Sequence, residues 1–368
     1  MKLLIQRNDL LGPLQKVIGA IEKRQTMPML GNVLVETSNG KVSFTATDME
    51  IMLRADVEYP EATQPEAAAI PARKLLDICK AVPESSTISL VADNETGVLR
   101  ADNSRFTLVC LPADEYPTIE HAASSAAVVL PADVLRELLE KTSFAMANQD
   151  VRYYLNGLML EIYPRGIRAV ATDGHRLALC QIEMEIGELE KAEQVIVPRK
   201  GVLELQRLLA EESGDVSLLL GAKHVRVVTP NGEFVSKLID GKFPDYQRVI
   251  PEDASNRLTI SRKGFRESLQ RAAILSNEKY RGIRLVMTPN LLTLEAHNSE
   301  QEEAEETLSI DYDGAELSIG FNVQYLLDVT NVMKGSEISL ALKDSNSSVL
   351  LTDPDDPSAQ YVIMPMRL

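Results

Sequence analysis

The chain has 368 residues, 45% hydrophobic and 25% charged, with a formal net charge of −16 at pH 7. That size supports more than one core, and the composition excludes a disordered or fibrous chain. There is no apolar run of the roughly 18 residues a membrane helix needs and no signal-peptide pattern in MKLLIQRNDLLG, so the expected location is cytoplasmic, without membrane partners. The first strand is expected over 2–6 and runs into a helix; the same opening recurs at 128–130 and 258–260. Helical spacing follows each time, in Leu10/Leu14, Leu135/Leu139 and Phe265/Leu269. Asn8 and Ser261 suit N-caps, and Pro131 suits an early helical position. A hairpin comes next: 32–36 with 41–47, 157–162 with 167–172, and 282–287 with 291–296. Ser38-Asn39-Gly40, Pro164-Arg165-Gly166 and Pro289-Asn290 are the turn formers.

A second unit then begins at Ile70, Val197 and Phe321. Its helix has apolar residues at matching places: Leu75/Ile78/Val82, Val202/Leu205/Leu209 and Leu326/Val329/Met333. Strand-like runs at 88–91, 216–220 and 338–342 follow, and the last strand of each unit opens with Phe106, Phe234 or Tyr361. Three copies in register make this a repeat protein, each copy reading β-α-β-β-β twice. The expected fold class is α+β, with helices gathered on one side of the sheets. The expected domains are 1–122, 128–250 and 256–368, joined by small or polar linkers. Cys79, Cys110 and Cys180 each replace an apolar residue and have no C-x-x-C spacing, so core thiols in a reducing compartment are expected.

Charge is distributed unevenly. The predicted helices 8–24, 71–81, 131–142, 198–209, 261–272 and 322–334 net +7, which leaves −23 for the remainder. Propensity alone does not produce this, because Glu favours helices as Lys and Arg do. A positive helix face would attract a phosphate backbone without reading sequence, while an acidic exterior would repel it elsewhere. The alternative is a repeat scaffold that binds proteins only.

An enzyme is the rival class, with Thr172-Asp173-Gly174-His175-Arg176 as its one constellation. None of the four histidines, His121, His175, His224 and His297, stands in metal-ligand spacing with another. G-x-S-x-G, P-loop and G-x-G-x-x-G motifs are absent. Thr47-Asp48-Met49-Glu50 also occupies the matching place in the first repeat without a His. The expectation is no catalytic residues, no metal and no cofactor.

Longer strings carry a resemblance. QDVRYYLNG (149–157), ATDGHRLAL (171–179), SKLIDGKFPDYQRV (236–249), AAILSNEK (272–279), EQEEAEE (300–306) and the final YVIMPMRL resemble the bacterial DNA sliding clamp family, beta subunits of DNA polymerase III, in order along the whole chain. The resemblance implies three similar domains per chain and a head-to-tail homodimer. The implied product is a six-domain ring with helices inside and sheets outside. Such a ring slides on double-stranded DNA without sequence preference and tethers the replicative polymerase, with no chemistry of its own.

Three sets of site residues are implied. Facing DNA would be Arg24, Arg73, Gln149, Tyr153 and Tyr154, with Arg199 and Lys200 added from the repeated helix. Core packing is the competing role for Tyr154, and an internal ion pair for Arg152. A pocket for short apolar tails of polymerases, clamp loader and repair factors would use Leu155, Thr172, Gly174, His175, Arg176 and Leu177, then Pro244, Arg248 and Val249. Asn322, Tyr325 and Ser348 would form the opposite wall, and Met364, Pro365, Met366 and Arg367 the floor. At the dimer interface Phe106 and Leu108 would pack on Ile274 and Leu275. Lys74, Arg100 and Arg105 would there face Glu300, Glu302, Glu303, Glu305 and Glu306. Tyr280, Asn346 and Asn103 depart from the family pattern, which bears on peptide preference and dimer strength.

Overall fold

The computed structural model describes residues 1–22, 27–119, 124–186, 189, 191–252 and 254–368. The first repeat runs β1 (Lys2–Gln6), α1 (Arg7–Val17), β2 (Asn32–Ser38), β3 (Lys41–Thr47), β4 (Ile51–Glu58), β5 (Glu66–Pro71), α2 (Ala72–Ala81), β6 (Thr87–Ala92), β7 (Thr96–Ala101) and β8 (Ser104–Val109). The second runs β9 (Ser124–Pro131), α3 (Ala132–Glu140), β10 (Gly157–Tyr163), β11 (Gly166–Thr172), β12 (Arg176–Glu183), β13 (Glu193–Pro198), α4 (Arg199–Leu209), β14 (Asp215–Gly221), β15 (His224–Thr229) and β16 (Gly232–Lys237). The third runs β17 (Asn256–Ser261), α5 (Arg262–Ala273), β18 (Gly282–Thr288), β19 (Leu291–His297), β20 (Glu303–Ser309), β21 (Leu317–Asn322), α6 (Val323–Val332), β22 (Glu337–Leu342), β23 (Val349–Asp353) and β24 (Asp356–Ile363). The doubled β-α-β-β-β order is thus present in all three.

Two compact units divide the chain. The first comprises Met1–Arg136 and Lys200–Leu238. It contains a four-stranded sheet, β1-β6-β7-β8, and an eight-stranded one, β5-β2-β3-β4-β16-β15-β14-β9. The second comprises Glu137–Arg199 and Ile239–Leu368. It contains the eight-stranded sheet β13-β10-β11-β12-β24-β23-β22-β17 and the four-stranded sheet β20-β19-β18-β21. Each eight-stranded sheet crosses a border between sequence repeats. In the first unit β4 pairs antiparallel with β16, Leu53 opposite Phe234. In the second β12 pairs with β24, Ala178 opposite Tyr361.

Local chemistry accounts for the elements. Leu10, Leu14, Leu135, Leu139, Phe265 and Leu269 are all buried, as the helical spacing predicts. In the first unit α1 packs on α2, and in the second α5 packs on α6. The β2–β3 hairpin closes through Asn39 and Gly40, with φ of 50° and 76°. Positive φ at both loop positions gives the mirror-image turn whose twist matches the flanking strands. Of the terminal expectations one holds and three are corrected. Ser261 does cap α5, its hydroxyl accepting from the Gly264 N–H at 3.3 Å. Asn8 instead lies inside α1, whose cap residue Gln6 offers no side-chain bond. Pro131 closes β9, where the edge of a sheet tolerates its missing N–H. Helix α1 also stops at Val17 and continues only as a 3-10 turn over Ile18–Ala20.

All three cysteines are buried and unpaired. Burial raises Cys79 to about 12, and Cys110 and Cys180 to about 11 each. The thiolate is the reactive form. A thiol reagent at pH 8 should therefore modify none of them in the folded protein and all three in denaturant, measured by intact mass. Among the described residues no helix is long and apolar enough to cross a membrane.

Candidate partner pocket, exposed loop and open sheet edges

A short turn organises the candidate pocket. After β11, the Thr172 hydroxyl donates to the Arg176 carbonyl at 2.6 Å and accepts from the Gly174 N–H at 3.1 Å. Asp173 Oδ1 accepts from the N–H groups of His175 and Arg176, at 2.9 and 3.0 Å. The same wiring stands after β3. Thr47 donates to Ile51 and accepts from Met49, while Asp48 Oδ1 accepts from Glu50 and Ile51. The Thr-Asp pair is therefore a turn device, satisfying backbone groups that would otherwise lack partners. The third residue of the turn has positive φ in both, 74° at Met49 and 87° at Gly174. Gly174 has a further reason to be glycine: a Cβ there would meet the Arg152 guanidinium at 2.8 Å.

Two arginines fix the walls. Arg152 pairs with Asp150, donates to the Asp173 carbonyl at 3.1 Å and lies against Gly174, so the internal ion pair is its observed role. Arg176 pairs with Asp173 at 3.1 Å and with Asp328, and donates to the Phe144 carbonyl at 2.8 Å. Its guanidinium also lies over the rings of Tyr325 at 4.4 Å and Phe144 at 5.3 Å. Between these arginines and the segment after β16 lies a cavity of about 270 Å³. Leu155, Thr172, Gly174, His175, Arg176, Leu177, Pro244, Val249 and Met364 line it, as expected from sequence. Arg152, Tyr154, Asp245, Tyr246 and Val362 line it too and were not anticipated as pocket residues. Val362 was findable by alternation, since it stands two places before the expected pocket residue Met364; in the structure it faces Leu177 across β12–β24.

The remaining pocket expectations divide. Arg248 and Ser348 line an adjoining cavity of about 590 Å³ together with Asn346, and it shares Val249 and Met364 with the first. Asn322, Tyr325, Pro365, Met366 and Arg367 line neither cavity. Asn322 caps α6 by accepting from the Gln324 N–H, and Tyr325 is occupied by Arg176. The tail is held by main chain: the Met364 N–H donates to the His175 carbonyl and the Met366 N–H to Gly320, both at 2.8 Å. Tyr280 is exposed, with Lys279 over its ring.

The expected DNA-facing residues are variously placed. Arg24 lies outside the described residues. Gln149 is exposed with φ of 58°, and Tyr153 is 57% exposed on the one-turn helix Tyr153–Leu155. Tyr154 instead packs on a core cluster with Met159, Leu177 and Val362. Arg73 donates to the Ile21 carbonyl at 2.6 Å, and Arg199 to that of Met146 at 3.1 Å. Lys200 pairs with Glu22 at 2.7 Å and with Asp48. Several other helix or near-helix cations also have acidic partners: Lys16 with Glu212, Lys141 with Asp356 and Glu137, and Arg207 with Glu204. The helix surplus counted in sequence is thus partly neutralised by folding.

Of the eight strands that end a sheet with one edge unpaired among the described residues, two are β8 and β20. They are also poorly covered, Leu108 being the single buried residue of the two. Phe106 is half-buried, and Lys74, Arg100, Asn103 and Arg105 are exposed. On the other edge Glu300, Glu302, Glu303 and Glu305 are exposed, while Glu306 takes a bidentate bond from Arg271 at 2.6 and 2.8 Å. Ile274 is 78% exposed beside half-buried Leu275.

Comparison with known proteins follows the same divisions. Family models for the DNA polymerase III beta subunit match in three parts: the N-terminal domain over 1–120, the central domain over 129–245 and the C-terminal domain over 247–367. The beta sliding clamp of Pseudomonas putida is 51% identical, and that of Escherichia coli K12 is 45% identical, each over the full length of both chains. The crystal structure of the DNA polymerase III beta subunit from Pseudomonas aeruginosa is 48% identical, with a TM-score of 0.95 over all of both chains. The Caulobacter crescentus polymerase III beta structure is 37% identical, with a TM-score of 0.92 and the same coverage. A three-domain clamp architecture and this degree of identity place the chain in the DNA polymerase III beta subunit family. Its function is that of a DNA sliding clamp.

Two outcomes test the site. Arg176→Ala leaves Asp328 and Asp173 without their cation, and breaking one side of a buried pair costs about 3 kcal/mol. Its urea midpoint should fall, and ligands of the pocket should lose affinity. Arg152 lowers Asp150 from 3.8 to about 2. A carboxylate depressed on folding adds stability that is complete above its unfolded pKa and lost as pH falls through the folded one. The protection of the Arg152–Leu155 amides from exchange, relative to an unfolded chain at the same pH, should therefore hold down to about pH 4 and fall towards pH 2.

Proposed function

We propose that two copies of this chain join head to tail, β8 of one along β20 of the other, as a six-domain ring around double-stranded DNA. The strand order carries this reading. The sheet β1-β6-β7-β8 repeats the order of β9-β14-β15-β16, and β20-β19-β18-β21 repeats that of β4-β3-β2-β5. Joining the two open edges would therefore build a third eight-stranded sheet like the two within the chain. Unpaired edges invite such pairing, and basic Arg100 and Arg105 would meet the acidic run at 300–306. The register of β16 on β4, carried over by the repeat, sets Arg105 opposite Glu306, Phe106 opposite Glu305 and Thr107 opposite Ala304. The domains are taken as 1–122, 128–250 and 256–368.

The role is topological, with no chemistry of its own, in the cytoplasm. Exposed Gln149 and Tyr153 with cations of the helices would give weak, mobile phosphate contacts, which carry no base information. The 270 Å³ cavity would seat short apolar tails of the replicative polymerase subunit, clamp loader, other polymerases and repair factors. Met364 and Leu177 supply an adaptable apolar lining for different tails.

Two measurements test the ring. Under oxidation, Thr107→Cys with Ala304→Cys should form a disulfide between copies, while Thr107→Cys with Thr307→Cys, out of register, should not. Retention on nicked circular DNA, loaded by a loader shown to work on another clamp, should be lost when the circle is cut once. Retention unchanged by cutting would mean direct binding and end the ring reading. Absence of loading by that loader would favour the scaffold that binds proteins only.

A further inference from the structure

Tyr246 borders two cavities. It lines the apolar pocket and also a separate cavity of about 160 Å³ walled by Arg168, Gln181, Gln247 and Gln360. The border originates in the sheet beneath. Residues directly opposite one another share a face, and every second residue returns to it. One row across the strands reads Met159, Val170, Leu179 and Gln360, and the next Glu161, Arg168 and Gln181. The face thus changes from apolar to polar within two residues along β10, β11 and β12. Tyr246 spans that change. Its ring packs on the cluster containing Met159, Val170 and Leu179, while its hydroxyl accepts from Arg168 Nη1 at 3.0 Å. Arg168 has little freedom. Glu161 holds it at 2.7 Å, Gln181 Oε1 accepts from it at 3.0 and 3.2 Å, and the Tyr163 ring lies 4.8 Å from its guanidinium carbon.

We propose that Tyr246 is a specificity-determining wall of the pocket, held in place by Arg168 as a positioning residue. The ring ends the apolar space at the size of an aliphatic side chain and separates that space from the polar cavity. This deepens, and rests on, the reading of the pocket as a seat for apolar peptide tails. Without the ring the two cavities join, and a longer apolar side chain gains room next to Leu179 and Ile250.

The test uses the full-length chain and two five-residue peptides, identical except that one ends in leucine and the other in 2-naphthylalanine. Kd is measured for each by calorimetry. In Tyr246→Ala the ratio of the two affinities should move about tenfold towards the larger residue, the lower end of what apolar pockets discriminate. Tyr246→Phe retains the ring and loses only the hydrogen bond, whereas Arg168→Gln removes that bond from the other side together with the ion pair to Glu161. Each should move the ratio the same way, by about threefold. A merely structural role would weaken both peptides alike, so an unchanged ratio in Tyr246→Ala overturns the assignment while leaving the pocket reading intact. Tyr246→Phe protects against loss of folding, because it deletes a single oxygen; an unchanged ratio there removes Arg168 from the proposal. Failure of both peptides to bind the unaltered chain overturns the pocket reading and this inference with it.

Discussion

A strand at the end of a sheet carries main-chain N–H and C=O groups without partners, and the architecture of this chain follows from where those ends go. Each repeat makes two sets of four strands, each set taking one strand from the other half, and inside the chain the ends of such sets are spliced, β4 to β16 and β12 to β24. Side chains endorse the splice. Phe234 and Tyr361 are fully buried on the joining strands, and Val235 packs with Met52 and Ile119. Their counterpart Phe106 sits on β8 half-buried, on a strand with no neighbour at its outer edge among the described residues. The contrast between a covered and an uncovered aromatic at the same place in the repeat is the physical content of the open edge.

The pocket depends on the same splice. Joining β12 to β24 sets Leu177 opposite Val362 and lets the chain end run on, so that Met364 reaches the His175 carbonyl. The Thr172-Asp173 turn, which has a twin at Thr47-Asp48, becomes special because of what surrounds it. Gly174 admits Arg152, and Arg176 ties Asp173, Asp328, Phe144 and Tyr325 into one wall. A repeated structural device has been adapted at one of its copies. The residues that resemble a catalytic constellation, Asp173 and His175, are joined through backbone bonds that shape a turn.

Charge shows a similar dependence on packing. Lys200 and Lys16 count as positive when helices are read as strings, yet the fold gives each a carboxylate. A sum over sequence measures formal charge and not the potential a partner meets. Exposed groups such as Gln149 and Tyr153 lie outside the six α-helices, in a loop and the one-turn helix that follows it.

Periodicity alone determined the six helices, the hairpins, the repeat interval and most of the buried faces, because these are local consequences of spacing: Leu10/Leu14 and Phe265/Leu269 could bury only one side. Strings such as ATDGHRLAL also marked most of the residues that line the cavity. Tertiary structure alone decided that sheets cross the repeat borders, that Arg176 is consumed by Asp328 and Tyr325, and that Tyr246 stands over the line between Leu179 and Gln181. These features join residues up to about 180 positions apart, such as Phe234 and Leu53. Spacing constrains only near neighbours, whereas strand register and burial select partners across the whole chain.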